Sequence, residues 1–295
     1  MEKNHLFAPP VRFVWKVSRA GYRWTLDSTG RRLICAADAA THGWNKLTNR
    51  LEYQPLEKRT GLFREFANIN ASEAAVRSFA SMFGLLESDC NVELRSEKGP
   101  VPAHGETLVF WKTEIQRLKL AVDLCDAYMT GDRRNLVDPI VKLANKRSRF
   151  GLRPGLHPDD GDVAIAAVQA IEELVDQNVA GRVKARFLSQ GSSPLPNLSL
   201  QPQSLLGAIW LQFAAAFEAH KTFANCQLCQ APFEISVAQT GKRSDARFCS
   251  DRCRVGFYRN RIDRARELGS TGMSPAKIAR ELGAQVDTVR GWLNR

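Results

Sequence analysis

The chain has 295 residues, of which 44% are hydrophobic, and it carries a formal net charge of +11. The hydrophobic share is ordinary for a globular protein and excludes a mainly disordered chain, and no apolar run approaches the ~18 residues that a membrane-spanning helix requires. Residues 1–5 are polar and lack the apolar segment of a secretory signal peptide, so we expect a cytoplasmic protein with no membrane partner.

Residues 1–60 are predicted to form the small β-rich part of an N-terminal domain. Three stretches, 11–17, 22–26 and 31–35, are rich in aromatic and β-branched residues, and the second alternates polar and apolar positions. The sequence Asp-Ser-Thr-Gly at 27–30 is typical of a turn. We therefore expect a small antiparallel sheet.

Residues 61–220 are predicted to form a helical domain of unknown role. Apolar residues recur at helical spacing in several stretches: 73–85, 106–130, 134–146, 163–179 and 204–219. The polar stretch 88–105 and the proline-rich stretch 189–203 predict loops. Residues 183–188 predict a strand, which we expect to pair with the N-terminal sheet.

No motif in this large region indicates catalysis. The five histidines show neither metal-pair nor H-E-x-x-H spacing, and the sequence contains no phosphate-binding glycine loop and no G-x-S-x-G motif. Cys35, Cys90 and Cys125 are scattered, and we expect them to be buried as small apolar side chains. We therefore expect that the protein is not an enzyme.

Two close cysteine pairs lie in residues 221–268. Cys226 and Cys229 form the first pair, Cys249 and Cys253 form the second, and nineteen residues separate the pairs. Thiolates at this spacing can bind one Zn²⁺ tetrahedrally, the first pair from a tight knuckle and the second from the first turn of a helix. Four cysteine ligands leave no open coordination position, so this zinc would be structural.

Disulfides and unconnected core residues are the two other interpretations of these cysteines. Disulfides are disfavoured in a reducing cytosol, and buried cysteines have no reason to occur as two tight pairs. Between the pairs, residues 232–237 alternate like a strand and residues 240–242 predict the turn of a hairpin. A knuckle, a hairpin and a helix that carries ligands together predict a treble-clef-like zinc finger.

The last quarter of the chain is strongly basic. Residues 221–295 hold 14 Lys and Arg against 7 Asp and Glu, a net charge of +7, whereas the first 220 residues hold 28 against 24, a net charge of +4. After Cys253 we expect an arginine-rich helix, and guanidinium groups suit contact with phosphate because they bind two oxygens at once. The alternative is a solvated basic surface, with arginines paired to Asp263 and Glu267.

Residues 269–295 are predicted to form a helix-turn-helix. The Gly-Ser-Thr-Gly sequence at 269–272 ends the preceding helix, Ser274 caps the next one, and Gly283 permits the turn to the last helix. The apolar spacing is similar to that of helix-turn-helix motifs of the resolvase or sigma-factor type. By this resemblance the residues from Asp287 onward form the recognition helix in the DNA major groove. The alternative is a plain helical hairpin that caps the finger.

The block FCSDRCRVGFYRNR at 248–261 carries a second resemblance. Together with the first cysteine pair it is similar to the FCS-type treble-clef fingers of bacterial nucleic-acid-associated proteins. With the helix-turn-helix that follows, residues 220–295 resemble a group of bacterial zinc-finger proteins. The resemblance implies a zinc site and contact with nucleic acid, and it implies no established activity.

These observations predict the residues that contact DNA. They are basic or polar and lie in the finger loop, the arginine-rich helix and the last helix: Lys242, Arg243, Arg252, Arg254, Arg259, Arg261, Thr288, Arg290, Asn294 and Arg295. Arg290 is suited to guanine and Asn294 to adenine, whereas we expect Thr288 to bind a phosphate.

The sequence therefore predicts a mainly α (α+β) fold, in which a small antiparallel sheet and a helical domain precede a treble-clef-like finger and a helix-turn-helix. The expected function is that of a zinc-containing duplex-DNA-binding protein, a transcriptional regulator whose N-terminal domain senses a ligand or forms a homodimer. Two alternatives remain open. One is an RNA-binding or mobile-element accessory protein, and the other is an enzyme or scaffold that the C-terminal region targets to nucleic acid.

Overall fold

The structure is a computed structural model that describes residues 13–39, 50–87, 91–96, 99–144, 162–188, 197–235 and 245–294. The chain divides into two compact units, Met1–Lys221 and Thr222–Arg295. Short antiparallel strands and helices make up both units, so the predicted α+β class is confirmed. None of the helices in the described ranges is long and apolar enough to cross a membrane.

The first unit interleaves strands and helices along the chain. Its strands are β1 Trp15–Ser18, β2 Tyr22–Leu26, β3 Arg32–Ala36, β4 Arg50–Tyr53, β5 Asn91–Leu94, β6 Val101–Thr107, β7 Val183–Leu188 and β8 Asn197–Pro202. Its helices are α1 Pro55–Lys58, α2 Leu62–Ala67, α3 Glu73–Phe83, α4 Leu108–Thr130, α5 Arg134–Ala144, α6 Val163–Val179 and α7 Leu205–Glu218. The long helices therefore follow the predicted periodicity to within a few residues.

The main sheet has the order β2-β3-β6-β5 and is antiparallel throughout. β1 does not join it and pairs with β4 instead, so Trp15–Ser18 is not part of one meander with β2 and β3. The loop predicted for 88–105 is also wrong, because β5 and β6 lie there. In β5 Leu94 is buried, whereas Asn91 and Glu93 are exposed. This alternation is too short to stand out from the polar residues around it, so the sequence does not predict the strand.

β7 and β8 form a separate two-stranded sheet, with Val183 opposite Pro202 and Leu188 opposite Asn197. The prediction that residues 183–188 pair with the N-terminal sheet is therefore wrong, and so is the prediction of a linker over all of 189–203. Pro202, one of the three prolines that suggested a linker, stands at the end of β8, whereas Pro194 and Pro196 lie outside the described residues. A strand tolerates proline at such an end position.

Large aromatic side chains from three helices form the core of the first unit. Trp111 of α4, Trp210 of α7 and Phe66 of α2 are fully buried. The ring centroids of Phe66 and Trp111 are 6.0 Å apart, and Trp210 meets Phe213 edge to face at 5.8 Å. These contacts bury the apolar sides that the helical periodicity predicts. Cys35 and Cys125 are also buried, as predicted, while Cys90 lies outside the described residues.

A buried carboxyl group joins the sheet to the loop that precedes it. Glu106, at the end of β6, is 2% exposed, and its Oε1 accepts a hydrogen bond from the backbone N–H of Glu87 at 2.7 Å. Burial raises the pKa of Glu106 to about 8 from 4.5, although the backbone N–H groups of Glu87 and Leu86 oppose the shift. The folded protein therefore keeps a proton on Glu106 at pH values where the unfolded chain has lost it.

We expect this group to make the stability of the protein depend on pH. The contribution of Glu106 to the free energy of unfolding is complete below a pH of about 4.5 and is lost as the pH rises to about 8. Over this range the free energy of unfolding falls by up to about 1.4 kcal/mol per pH unit. Glu106→Gln keeps the hydrogen-bond acceptor and cannot ionise, so its free energy of unfolding should vary less with pH than that of the parent. Urea unfolding from about pH 6 to about pH 9 measures this.

Glu172→Gln, on the exposed side of α6, is the matched control and should unfold with the parent's pH dependence. If Glu106→Gln shows the same loss of stability with rising pH as the parent, Glu106 is ionised in the folded state and the prediction is wrong.

The second unit contains two short strands and three helices in its described part: β9 Phe223–Asn225, β10 Pro232–Glu234, α8 Asp251–Ser270, α9 Pro275–Leu282 and α10 Val286–Leu293. β10 pairs with β9, so the hairpin encloses the first cysteine pair, and the sequence analysis missed β9. The turn predicted at 240–242 lies outside the described residues.

The three helices of this unit share a small core, whose buried residues are Ala265, Leu268, Ile278, Ala279 and Val289. A short turn joins α9 to α10, and Gly283 in this turn has a φ of 58°. Glycine adopts this left-handed conformation at little cost, which explains its place after α9. The partly buried side chains of Trp292 and Leu293 close the core from α10.

Candidate metal centre and nucleic-acid interface

The first cysteine pair lies in the loop between β9 and β10. Cys226 is buried, its N–H donates to the carbonyl of Ala231 at 3.0 Å, and its carbonyl accepts from the N–H of Gln230 at 2.9 Å. Gln230 has a φ of 58°, so the chain turns back in the left-handed conformation directly after Cys229. The loop is therefore the tight knuckle that the C-x2-C spacing predicts.

The second pair lies at the start of α8. Cys249 precedes the helix, and the hydroxyl of Ser250, the N-cap residue, accepts from the N–H of Cys253 at 3.2 Å. The prediction that both cysteines lie in the helix is therefore wrong for Cys249. The N–H of Gln227 donates to the carbonyl of Arg247 at 3.0 Å, and this bond joins the second segment to the knuckle.

The two segments bring the four thiols together. All four sulfur atoms lie within 4.8 Å of one another, and Cys249 Sγ is 3.6 Å from Cys229 Sγ and 3.5 Å from Cys253 Sγ. These distances exceed the ~2.0 Å of a disulfide bond and are close to the ~3.8 Å that separates sulfurs bound at ~2.3 Å to a tetrahedral zinc. The cysteines are free thiols in a cluster that could bind a metal ion such as zinc.

The surroundings of the cluster favour a cation. Burial raises the pKa of the Cys226 thiol, but hydrogen bonds from the backbone N–H groups of Cys229, Cys249 and Leu228 outweigh burial and lower this pKa to about 6. Burial and the neighbouring thiols raise the pKa of Cys249 to about 12. One thiolate therefore forms readily, whereas a positive charge among the sulfurs, which a divalent metal ion supplies, would favour deprotonation of Cys229 and Cys249, whose pKa values are raised.

Gly256 allows the knuckle to lie directly against α8. A Cβ atom at this position would be 2.9 Å from Cδ2 of Leu228 in the knuckle. Next to this contact the rings of Phe248 and Phe257 pack with centroids 5.1 Å apart. The role of Gly256 was not predicted, although an isolated glycine inside a helical pattern often has a packing reason.

The predicted arginines near the start of α8 point away from the unit's core. Arg252 and Arg259 are exposed and form no ion pair with any residue that the structure describes. Because seven residues span about two helical turns, these two side chains lie on one face. Arg254 is 59% exposed and pairs with Asp251 at 3.3 Å. An exposed pair of this kind contributes at most about 1 kcal/mol, so Arg254 can exchange its partner.

Arg261 is held inside the unit instead. Its Nη2 donates to the carbonyls of Leu282 at 2.6 Å and Gly283 at 3.2 Å. The guanidinium carbon lies 5.8 Å from the ring centroid of Phe257 and 5.5 Å from that of Trp292. Arg261 therefore joins α8 to the end of α9 and to α10. Its contact with DNA stays a prediction, and these bonds favour a structural role.

The predicted residues of α10 lie on its outer side. Thr288, Arg290 and Asn294 are exposed, and Arg290 donates to Asp287 at 3.0 Å. Both members of this pair are exposed, so it constrains Arg290 weakly. Three further predicted residues lie outside the described part of the chain: Lys242, Arg243 and Arg295.

Known proteins provide no further guide to the site. No family model, curated protein or solved structure matches this chain. Its function is therefore argued from the geometry and the charges of its own residues.

Proposed function

We propose that this protein is a zinc-containing protein that binds duplex DNA and acts as a transcriptional regulator in the cytoplasm. One zinc ion, bound by the four clustered cysteines, fixes the knuckle against the start of α8. Four thiolate ligands leave this ion no open position for a substrate, so its role is structural and we assign the protein no catalytic activity.

The observation that carries the proposal is a pair of arginines, on the helix that follows the cysteines, that form no ion pair with any described residue. Arg252 and Arg259 share one face of α8, and Arg252 immediately precedes the ligand Cys253. The unit that contains them has a net charge of +7 over residues 221–295. Rigidly presented guanidinium groups on a basic unit are the arrangement that phosphate contact requires.

Base recognition is assigned to the helix-turn-helix made by α9 and α10. The outer side of α10 carries Arg290 and Asn294, whose side chains can form paired hydrogen bonds with guanine and adenine in the major groove. Thr288 is suited to a phosphate oxygen. α10 has only eight residues, and so we propose that two copies act together as a homodimer on two half-sites, with the first unit sensing a ligand or forming the dimer contact.

RNA or single-stranded nucleic acid is the second candidate partner. Tyr258 is 45% exposed on α8, next to Arg259. An exposed ring beside a guanidinium group can stack on an unpaired base, which a duplex does not offer. This contact would suit an RNA-binding or mobile-element accessory protein. Duplex DNA is favoured because Thr288, Arg290 and Asn294 together form a polar outer side on α10.

Equilibrium binding of the zinc-loaded full chain to random duplex DNA, duplex RNA and single strands, over a range of salt concentrations, tests the proposal. We expect the tightest binding to duplex DNA and a loss of affinity with salt. The double variant Arg252→Gln, Arg259→Gln should lower the slope of log K against log salt by about 2, since each phosphate contact contributes about 0.9.

Lys112→Gln, Lys119→Gln is the matched control, because it removes two charges from exposed positions of α4 in the first unit. It should leave the slope unchanged. Tighter binding to RNA or single strands than to duplex DNA would favour the second candidate, and no binding of the parent at low salt would overturn both.

A further inference from the structure

Gly291 occupies a helical position that neither packing nor the backbone explains. It lies inside α10, where glycine is the least favourable residue after proline. A Cβ atom added there would meet nothing within 4 Å, so no neighbour requires its absence. The other described glycines with equally open surroundings all have a positive φ, which accounts for them: Gly30, Gly99, Gly131, Gly181, Gly272 and Gly283. Gly291 has no such conformation.

The position of Gly291 on the helix is the second observation. Val289 is fully buried, and Trp292 and Leu293 pack against the same core, so these residues define the inner side of α10. At about 100° per residue, Gly291 lies on the opposite side, next to Arg290 and Asn294. The missing side chain therefore leaves a notch in the outer surface, with Asn294 and Arg290 to one side of it, at about 60° and about 100° around the helix, and Thr288 at about 60° to the other.

The charges around α10 indicate what enters the notch. On the preceding helix, Lys277 and Arg280 are exposed and pair with no residue in the described ranges. With Arg290 they exceed the two exposed acidic residues of α9 and α10, Glu281 and Asp287, by one charge, so this surface is weakly basic and suits an anionic partner. A second copy of the same surface would bring like charges together and is disfavoured. Duplex DNA is the anionic partner whose groove admits a whole helix.

We propose that Gly291 is the point at which α10 comes closest to DNA, so that base-pair edges in the major groove fill the notch. Arg290 and Asn294 then reach neighbouring bases from one side of it, and Thr288 lies on the other side. A side chain at position 291 would hold the helix out of the groove by its own width. The inference rests on the proposed function and adds to it a position that determines how deeply the helix inserts.

The test uses Gly291→Ala and Gly291→Leu in the zinc-loaded full chain. Both substitutions favour the helix, so we expect the second unit to melt about 4–8 °C higher, and loss of binding cannot then arise from unfolding. The probe is the duplex that the parent enriches from a randomised duplex DNA library. Its affinity should fall roughly tenfold for Gly291→Ala and further for Gly291→Leu. Asn260→Ala, an exposed substitution on α8 that also favours the helix, should bind like the parent.

The binding experiment distinguishes failure of the Gly291 inference from failure of the proposed function. If the parent enriches a sequence and both Gly291 variants bind it like the parent, α10 does not approach the bases at this position, and only the present inference is overturned. If the parent binds duplexes without enriching any sequence, the inference is overturned too, because close approach predicts base reading. If the parent binds no nucleic acid, the proposed function itself is overturned.

Discussion

Replacement of Cys226 by alanine is expected to remove the bound zinc and to unfold the knuckle and the start of α8. The knuckle is held by a few backbone hydrogen bonds and by the close packing of Leu228 against Gly256. Structural zinc sites in finger peptides contribute about 10–16 kcal/mol, which is comparable to the whole stability of a small domain. Three thiolates cannot complete the tetrahedral site, and the folding energy that depends on the metal is lost.

Metal content and hydrogen exchange together measure this effect. The parent should hold one zinc per chain in the presence of a moderate chelator, and Cys226→Ala should hold none. Amide protection in β9, β10 and the first turns of α8 should disappear in the variant. Cys125→Ala is the matched control, since it also removes a buried cysteine, from α4 of the first unit, and it should keep both the metal and the protection. A variant Cys226→Ala that retains tightly bound zinc would contradict the proposed ligand set.

The loss of DNA binding should accompany the loss of zinc. Without the knuckle, the start of α8 has no anchor, and Arg252 and Arg259 no longer share a fixed face. A strong chelator added to the parent should therefore lower its affinity for duplex DNA as much as Cys226→Ala does, and added zinc should restore the parent only. Unchanged binding after complete metal removal would show that the arginines act without the cysteine cluster.

The features that the sequence predicted best are those set by neighbouring residues. The cysteine cluster follows from two short spacings, and the long helices follow from apolar residues three and four positions apart. α6 was predicted over 163–179, and the structure has it at Val163–Val179. The turn at Gly283 and the cap at Ser250 are also local, because a single residue provides the conformation or the hydrogen bond that ends or begins a helix.

The features that the sequence missed depend on residues far apart in the chain. The sequence of β5 is typical of a polar loop because only one of its faces is packed. It forms a strand because it pairs with β6. β9 was not predicted, and its three residues are recognised as a strand from their pairing with β10 across the knuckle. The structural contacts of Arg261 could not be predicted for the same reason. Its hydrogen-bond acceptors, the carbonyls of Leu282 and Gly283, come more than twenty residues later in the chain.

Replacement of Arg261 by lysine is expected to destabilise the packing of α8, α9 and α10 although it conserves the charge. The planar guanidinium donates to two carbonyls, and its carbon lies 5.8 Å from the ring centroid of Phe257 and 5.5 Å from that of Trp292. A lysine ammonium has no flat face for the two rings and cannot keep both hydrogen bonds in the same geometry. From the usual size of hydrogen bonds to charged groups and of cation–π contacts, we expect a loss of about 2–3 kcal/mol.

Arg259→Lys is the control, because Arg259 lies on the same helix, is exposed and has no ion-pair partner among the described residues. Its free energy of unfolding should stay within about 0.5 kcal/mol of the parent. Urea unfolding gives this comparison, and hydrogen exchange in α9 and α10 locates the loss for Arg261→Lys. The two possible roles of Arg261 then separate. A positioning residue loses stability and exchange protection on substitution, with zinc content and the salt slope unchanged, whereas a phosphate ligand would keep its stability and lose affinity for DNA alone.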